Sequence, residues 1–137
     1  MTLQRIVFLD IDGVLTHEAS NYHLDSACLA RLDDLLVATR AELILTSSWR
    51  DTYGINETQS RLARAGLRCR LAGAVPACPW GSRTDEIETY LHSSAPEAFV
   101  ILDDVLVEPR LRSHLVLTDD FVGLTDADVT LARRLLL

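Results

Sequence analysis

Residues 5–14 of the chain read RIVFLDIDGV. The first half of this stretch, from Arg5 to Leu9, is a short run of apolar strand formers and predicts a buried β-strand. Asp10 and Asp12 follow it, and Gly13 allows the chain to turn sharply after them. Asp and Gly are also ordinary turn residues, but a carboxylate at the end of a buried strand is costly unless it is paired or binds a metal. The pattern therefore marks the end of this strand as a candidate functional site.

The rest of the chain alternates between predicted helices and predicted strands. Capping patterns mark four helix starts, at Asp25, at Asn56 with Gln59, at Ser82 with Asp85, and at Thr125 with Asp128. Short apolar runs predict four further strands, over residues 41–45, 67–71, 98–102 and 115–117. Strands that alternate with helices favour an α/β fold, a Rossmann-like three-layer sandwich with a central parallel sheet.

Length and composition restrict the remaining possibilities. The chain has 137 residues, a net charge of −7 and three cysteines, which predicts one domain over residues 1–137. Its apolar runs are too short to span a membrane, and the first residues do not resemble a signal peptide. The cysteines lack the spacing of a zinc site or a disulfide framework. We therefore expect a cytoplasmic protein that has no membrane partner and that does not bind nucleic acid non-specifically with high affinity.

Polar residues follow the other predicted strands as well. Thr46 and Ser47 follow the second strand, and Asp103-Asp104 follow the strand over residues 98–102. In parallel sheets, ligands bind beyond these carboxyl ends. Thr and Ser at such a position are more often helix caps than ligands, and Asp119-Asp120 also follow a strand. Asp103-Asp104 are the favoured pair, because their strand should lie beside the first one.

Arg83 lies at a predicted helix start, where a cation is electrostatically unfavourable unless an anion is in front of it. A solvated surface position is the alternative explanation for this residue. Asp33-Asp34, in the middle of a predicted helix, are expected to be solvated.

The order of these motifs resembles the haloacid dehalogenase superfamily of aspartate-nucleophile phosphohydrolases. The segments that carry the resemblance are FLDIDGVL (residues 8–15), LTSSWR (45–50), RTDEI (83–87), VILDDV (100–105) and GLT (123–125). They are similar to the small capless domain found in Swiss Army Knife RNA repair proteins, over essentially the whole chain. That family often has Lys at the cationic position, whereas all 13 basic residues here are Arg and Arg83 takes this place. The intervals between motifs leave no room for a cap domain, and residues 14–24, which include His17 and His23, form at most a small flap.

The resemblance implies a magnesium-dependent phosphatase that works through an aspartyl phosphate. Asp10 would be the nucleophile, and Asp12 the general acid and then the base. Magnesium would bind an Asp10 oxygen, the backbone carbonyl of Asp12, and Asp103 or Asp104, with Asp104 favoured. The alternative function is a non-catalytic module that only binds phosphate ends in nucleic-acid repair.

The resemblance implies fewer details about the residues that contact the substrate than about the catalytic residues. Thr46, Ser47 and Arg83 would bind the phosphoryl group. Trp49, Arg50 and Tyr53 are candidates for stacking on a base or binding a second phosphate, or else for core packing and an ion pair. A basic cluster follows at Arg61, Arg64, Arg68 and Arg70. The expected substrates are phosphorylated nucleic-acid ends, of RNA or DNA, or nucleotides.

Overall fold

A computed structural model describes residues 4–78 and 80–137. Its strands are β1 (Arg5–Leu9), β2 (Glu42–Leu45), β3 (Leu71–Ala74), β4 (Ala98–Asp103) and β5 (Leu115–Leu117). Its helices are α1 (Ser26–Thr39), α2 (Trp49–Thr52), α3 (Gly54–Arg64), α4 (Arg83–Ser94) and α5 (Asp126–Leu136), with short 3₁₀ helices at Glu18–Ser20 and Pro109–His114. The strands form a five-stranded parallel sheet in the order β3-β2-β1-β4-β5.

β1 lies at the centre of the sheet, and both of its faces are buried. Val7 and Leu9 pack in the cluster that contains residues of α1, α3 and α5, whereas Ile6 and Phe8 pack in the cluster that contains Ile87 of α4. Side chains alternate between the two faces of a strand, so helices cover the sheet on both sides. The predicted α/β sandwich without a cap domain is confirmed over the described residues. None of the helices in this part of the chain is both long and apolar enough to cross a membrane.

Three of the four predicted helix starts are confirmed. The Asp25 carboxylate accepts a hydrogen bond from the amide of Ala27, and full capping boxes form at Ser82 and at Thr125. Each cap satisfies amide groups that have no partner inside the helix. The capping box at Ser82 fixes where α4 begins and so places Arg83 in its first turn.

The predictions for residues 56–71 are wrong at both ends of the segment. α3 begins at Gly54 rather than at Asn56, and the side chain of Gln59 accepts from the amide of Leu71 instead of capping a helix. The strand predicted over residues 67–71 lies at Leu71–Ala74. The amides of Arg68 and Cys69 donate to the Asp33 carboxylate, at 2.9 Å each, and are therefore not free to pair in the sheet. Asp33 is buried by this contact and does not lie on a solvated face.

Within residues 14–24, where at most a small flap was expected, residues 14–17 are buried and most of residues 18–23 are exposed. Val14 and Leu15 are fully buried, and His17 is buried with its Nε2 at 2.6 Å from an Asp25 oxygen. The segment pairs with the loop after β5, where Gly123 has φ +69° and a Cβ would lie 2.7 Å from the carbonyl oxygen of Val14. This close packing explains the glycine of the GLT motif, and it places His17 in a structural contact.

Candidate active site

The carboxyl ends of β1 and β4 bring three carboxylates together. The two strands pair with Leu9 opposite Leu102, so Asp10 and Asp103 leave the sheet side by side. Carboxylate oxygens of Asp10, Asp103 and Asp104 lie within 4.8 Å of one another. Asp10 and Asp103 are buried, and Asp104 is half-buried. The predicted acidic residues therefore form one cluster at the sheet edge.

This cluster carries more negative charge than its surroundings neutralise. Burial, followed by the neighbouring Asp103 carboxylate, raises the pKa of Asp10 from 3.8 to about 8, although Arg83 opposes the shift. Burial and Asp103 also raise the pKa of Asp104. Crowded carboxylates of this kind favour either a shared proton or a bound cation. Carboxylate oxygens are the ligands that magnesium and calcium prefer, so the residues present fit such an ion.

Arg83 extends from the first turn of α4 into the cluster. Its Nη1 lies 2.6 Å from Asp103 Oδ2 and 3.6 Å from Asp10 Oδ1. The other oxygen of Asp103 accepts from the amide of Val105 at 3.0 Å. Both oxygens of Asp103 are therefore engaged by protein donors.

Asp104 lies directly against Gly13. A Cβ at position 13 would come within 2.2 Å of Asp104 Cγ, and Gly13 has φ +86°. The glycine is therefore required for two reasons, the left-handed backbone and the close approach of the Asp104 carboxylate to the turn after β1.

Asp12 is exposed and is held by one hydrogen bond to each oxygen. Thr16 Oγ1 donates to Oδ1 at 3.0 Å, and Trp49 Nε1 donates to Oδ2 at 3.2 Å. Each carboxylate oxygen retains a second lone pair, so the group is positioned without being saturated. No local sequence pattern predicts the contact with Trp49, because it forms only when the end of β2 lies beside the end of β1.

Thr46 is fully buried, and its Oγ1 has no hydrogen-bond partner among the described residues. Its amide donates to the carbonyl of Leu9 at 2.8 Å, which places Thr46 beside the residue that follows Leu9, Asp10. A buried hydroxyl without a partner costs about 1–3 kcal/mol, so this atom points to a ligand. Ser47 is also buried, but its Oγ accepts from the amide of Trp49 at 3.2 Å and so supports the start of α2.

The structure shows for Arg50 the second of the two alternatives that the sequence left open, an ion pair. Its Nη2 donates to Glu86 and its Nη1 to the carbonyl of Val75, and the guanidinium is largely buried in this ion pair. Asp119 and Asp120 also lie outside the cluster. Asp119 accepts from the amide of Phe121 at 2.8 Å, and Asp120 accepts from the hydroxyl of Tyr22 at 3.3 Å. Both acids therefore stabilise the turn after β5.

Comparison with known protein families gives a match over most of the chain. The model of a family described as the HAD domain in Swiss Army Knife RNA repair proteins matches residues 6–129. The matched span includes all of β1 after Arg5, the acidic cluster and the first turn of α4. No curated protein and no solved structure is significantly similar to the chain.

Proposed function

The chain belongs to the family of HAD domains found in Swiss Army Knife RNA repair proteins, and from this membership and the acidic cluster we propose that it is a magnesium-dependent phosphatase with an aspartate nucleophile. The observation that carries the proposal is the cluster of Asp10, Asp103 and Asp104, whose oxygens lie within 4.8 Å of one another at the ends of adjacent strands. The proposal treats residues 1–137 as one catalytic domain.

Magnesium would be held by Asp10, by the backbone carbonyl of Asp12 and by Asp104. Asp104 is preferred to Asp103, because Arg83 and the amide of Val105 already engage both oxygens of Asp103. The bound ion would supply positive charge that offsets the charges of Asp10 and of a phosphoryl group.

The proposed reaction has two steps on one carboxylate. Asp10 attacks phosphorus, the ester bond breaks, and Asp12 donates a proton to the leaving oxygen. Asp12 then accepts a proton from a water molecule, which attacks the aspartyl phosphate and releases inorganic phosphate and the Asp10 carboxylate. The hydrogen bonds from Thr16 and Trp49 hold Asp12 in place for both transfers.

Three residues would bind the phosphoryl oxygens during these steps. Thr46 offers its unpartnered hydroxyl, Ser47 adds a second hydroxyl on the same turn, and Arg83 adds positive charge close to Asp10. Donors that are already in place where charge develops are the most effective electrostatic catalysts.

The cavity at the site is small. A cavity of about 140 Å³, lined by Asp10, Arg83, Asp103 and residues 105–107, adjoins the cluster. It has room for little more than a phosphoryl group, so the rest of a substrate would lie outside it. Phosphorylated RNA or DNA ends and nucleotides are the proposed substrate classes.

The test is phosphate release from a panel of substrates. The panel contains oligonucleotides with a 3′ or a 5′ phosphate, mononucleotides and an aryl phosphate, each assayed with magnesium and with excess chelator. The proposal expects magnesium-dependent release that Asp10→Asn lowers at least about a thousandfold. Release from none of these substrates, together with tight binding of phosphorylated ends, would instead favour a non-catalytic binding module.

A further inference from the structure

The position of Asp12 indicates where the substrate body must lie. A general acid contacts the leaving oxygen, so the organic part of the substrate begins at the Asp12 carboxylate. The indole of Trp49 is the next group beyond this carboxylate, since its Nε1 donates to Asp12 Oδ2 at 3.2 Å. A leaving group that begins at Asp12 would therefore have Trp49 beside it.

Trp49 also lines a second cavity at the surface. This cavity, the Trp49 cleft, has a volume of about 430 Å³ and is lined by Leu24, Trp49, Glu57, Arg61, Arg64 and Ala65. Trp49 therefore both donates to Asp12 and lines the cleft, so the cleft lies next to the Asp12 carboxylate.

The Trp49 cleft carries a positive charge in a protein with a net charge of −7. Arg61 Nε and Arg64 Nη2 both lie near a single Glu57 oxygen, at 3.2 and 3.1 Å. Two guanidinium groups thus share one carboxylate, and one positive charge is left over. Arg61 also lies over the ring of Tyr53, with its Cζ 3.9 Å from the ring centroid.

Aromatic rings stand beside these cations. Trp49 and Tyr53 are in edge-to-face contact, with their centroids 5.2 Å apart. Guanidinium groups bind phosphodiesters, and exposed aromatic rings stack on bases regardless of their sequence. A cleft with both features matches a nucleotide unit that carries its own phosphate.

We propose that the Trp49 cleft binds the nucleotide next to the scissile phosphate, so that the substrate is the phosphorylated end of a single strand of nucleic acid rather than a mononucleotide. This inference rests on the proposed function, because it uses Asp12 as the group that faces the leaving oxygen. RNA and DNA share the chemistry that the cleft recognises, and the test includes both.

The test compares KM values for an oligonucleotide and for a mononucleotide. The probes are single strands of about six nucleotides, RNA or DNA, with a terminal phosphate. In the double variant Arg61→Ala/Arg64→Ala, the ratio of KM for the oligonucleotide to KM for the mononucleotide should rise at least about tenfold. Glu57→Gln should change the same ratio in the opposite direction, because it removes the competing carboxylate. A purely structural ion pair would not produce these opposite effects.

The matched control is Arg133→Ala/Arg134→Ala, which removes the same charge from an exposed turn of α5. The control should leave the ratio unchanged. An unchanged ratio in the Arg61/Arg64 variant, or an equal change in the control, would overturn the inference while leaving the phosphatase proposal intact.

Binding of the same oligonucleotides to Asp10→Asn tests the cleft separately from turnover. Affinity should fall when Arg61→Ala/Arg64→Ala is added to this variant and should rise with Glu57→Gln. Absence of Asp10-dependent hydrolysis would contradict the phosphatase proposal. An affinity that these substitutions leave unchanged would contradict the proposed role of the Trp49 cleft.

Discussion

Asp10 stands where its own charge is unfavourable. The raised pKa of about 8 results from burial and from neighbouring carboxylates. A charge on Asp10 is therefore unfavourable, although the residue directly follows the well-packed strand β1. Buried, like-charged carboxylates are typical of functional sites rather than of packing. Arg83 offsets part of the cost, and a divalent cation would offset more.

The Asp10 carboxyl should therefore lower the stability of the metal-free protein as the pH rises. Between the ordinary pKa of 3.8 and the folded value of about 8, the folded state binds more protons than the unfolded state, so the free energy of unfolding falls with increasing pH. Asp10→Asn should weaken this dependence, with the raised pKa of Asp104 leaving a remainder, and should stabilise the metal-free protein at pH 8 by about 2 kcal/mol. Urea unfolding with chelator at pH 5 and pH 8 measures both effects. Parallel pH profiles for the two proteins would show that the pKa of Asp10 is not raised in the folded protein.

Asp12 should matter in proportion to the leaving group. An alkyl phosphate needs a proton on its leaving oxygen, whereas an aryl phosphate needs little assistance. Asp12→Asn should therefore lower the rate on a nucleotide at least about tenfold more than the rate on an aryl phosphate. The measurement is the ratio of the two rates in the wild type and in the variant. An equal loss on both substrates would remove the acid role from Asp12.

At the scale of elements, the turns decide the geometry of the site. Gly13 lets the turn after β1 approach Asp104, the capping box at Ser82 orients Arg83, and the close contact at Gly123 holds the loop after β5 against residues 14–17. Each of these turns connects a strand end to a neighbouring element, so small shifts in any of them would move a carboxylate or a cation.

Gly13→Ala should weaken metal binding specifically. The new Cβ would collide with Asp104 Cγ, 2.2 Å away, and displace that carboxylate. Gly54→Ala is the matched control, because Gly54 has a similar φ of +77° and nothing within 4 Å of an added Cβ. Both variants should lose about 1–2 kcal/mol of stability from backbone strain. The magnesium concentration for half-maximal activity should rise about tenfold only in Gly13→Ala. An equal rise in both variants would show that Asp104 does not bind the metal.

Elements with a local pattern were predictable from the sequence, and elements that depend on distant contacts were not. The apolar run of β1 and the capping boxes at Ser82 and Thr125 lie within a few residues of the structures that they define. The position of β3 depends on Asp33, which is 35 residues away from the Arg68 amide that it binds. For the same reason the strand-end acids of the site were predictable. The contact of Trp49 with Asp12 and the identity of Glu86 as the partner of Arg50 were not, because they join distant segments.

For the whole molecule, the strand order places the acidic cluster. Successive connections run from β1 to β2 and β3 on one side, and the chain then returns to β4 and β5 on the other. In such sheets, the point where the order reverses is the usual ligand site, and here it lies between β1 and β4. Asp10 and Asp103 stand at this point, which is why residues distant in sequence act on one small cavity.

The covalent intermediate tests this account most directly. Wild-type protein is mixed with magnesium and a phosphorylated substrate, quenched in acid within one turnover, and digested for peptide mass spectrometry, with Asp10→Asn treated in parallel. We expect a phosphoryl group on the Asp10 carboxylate of the wild type, released by hydroxylamine as an acyl phosphate is, and none in the variant. Phosphate release without a phosphorylated Asp10, or with the label on another residue, would contradict the account.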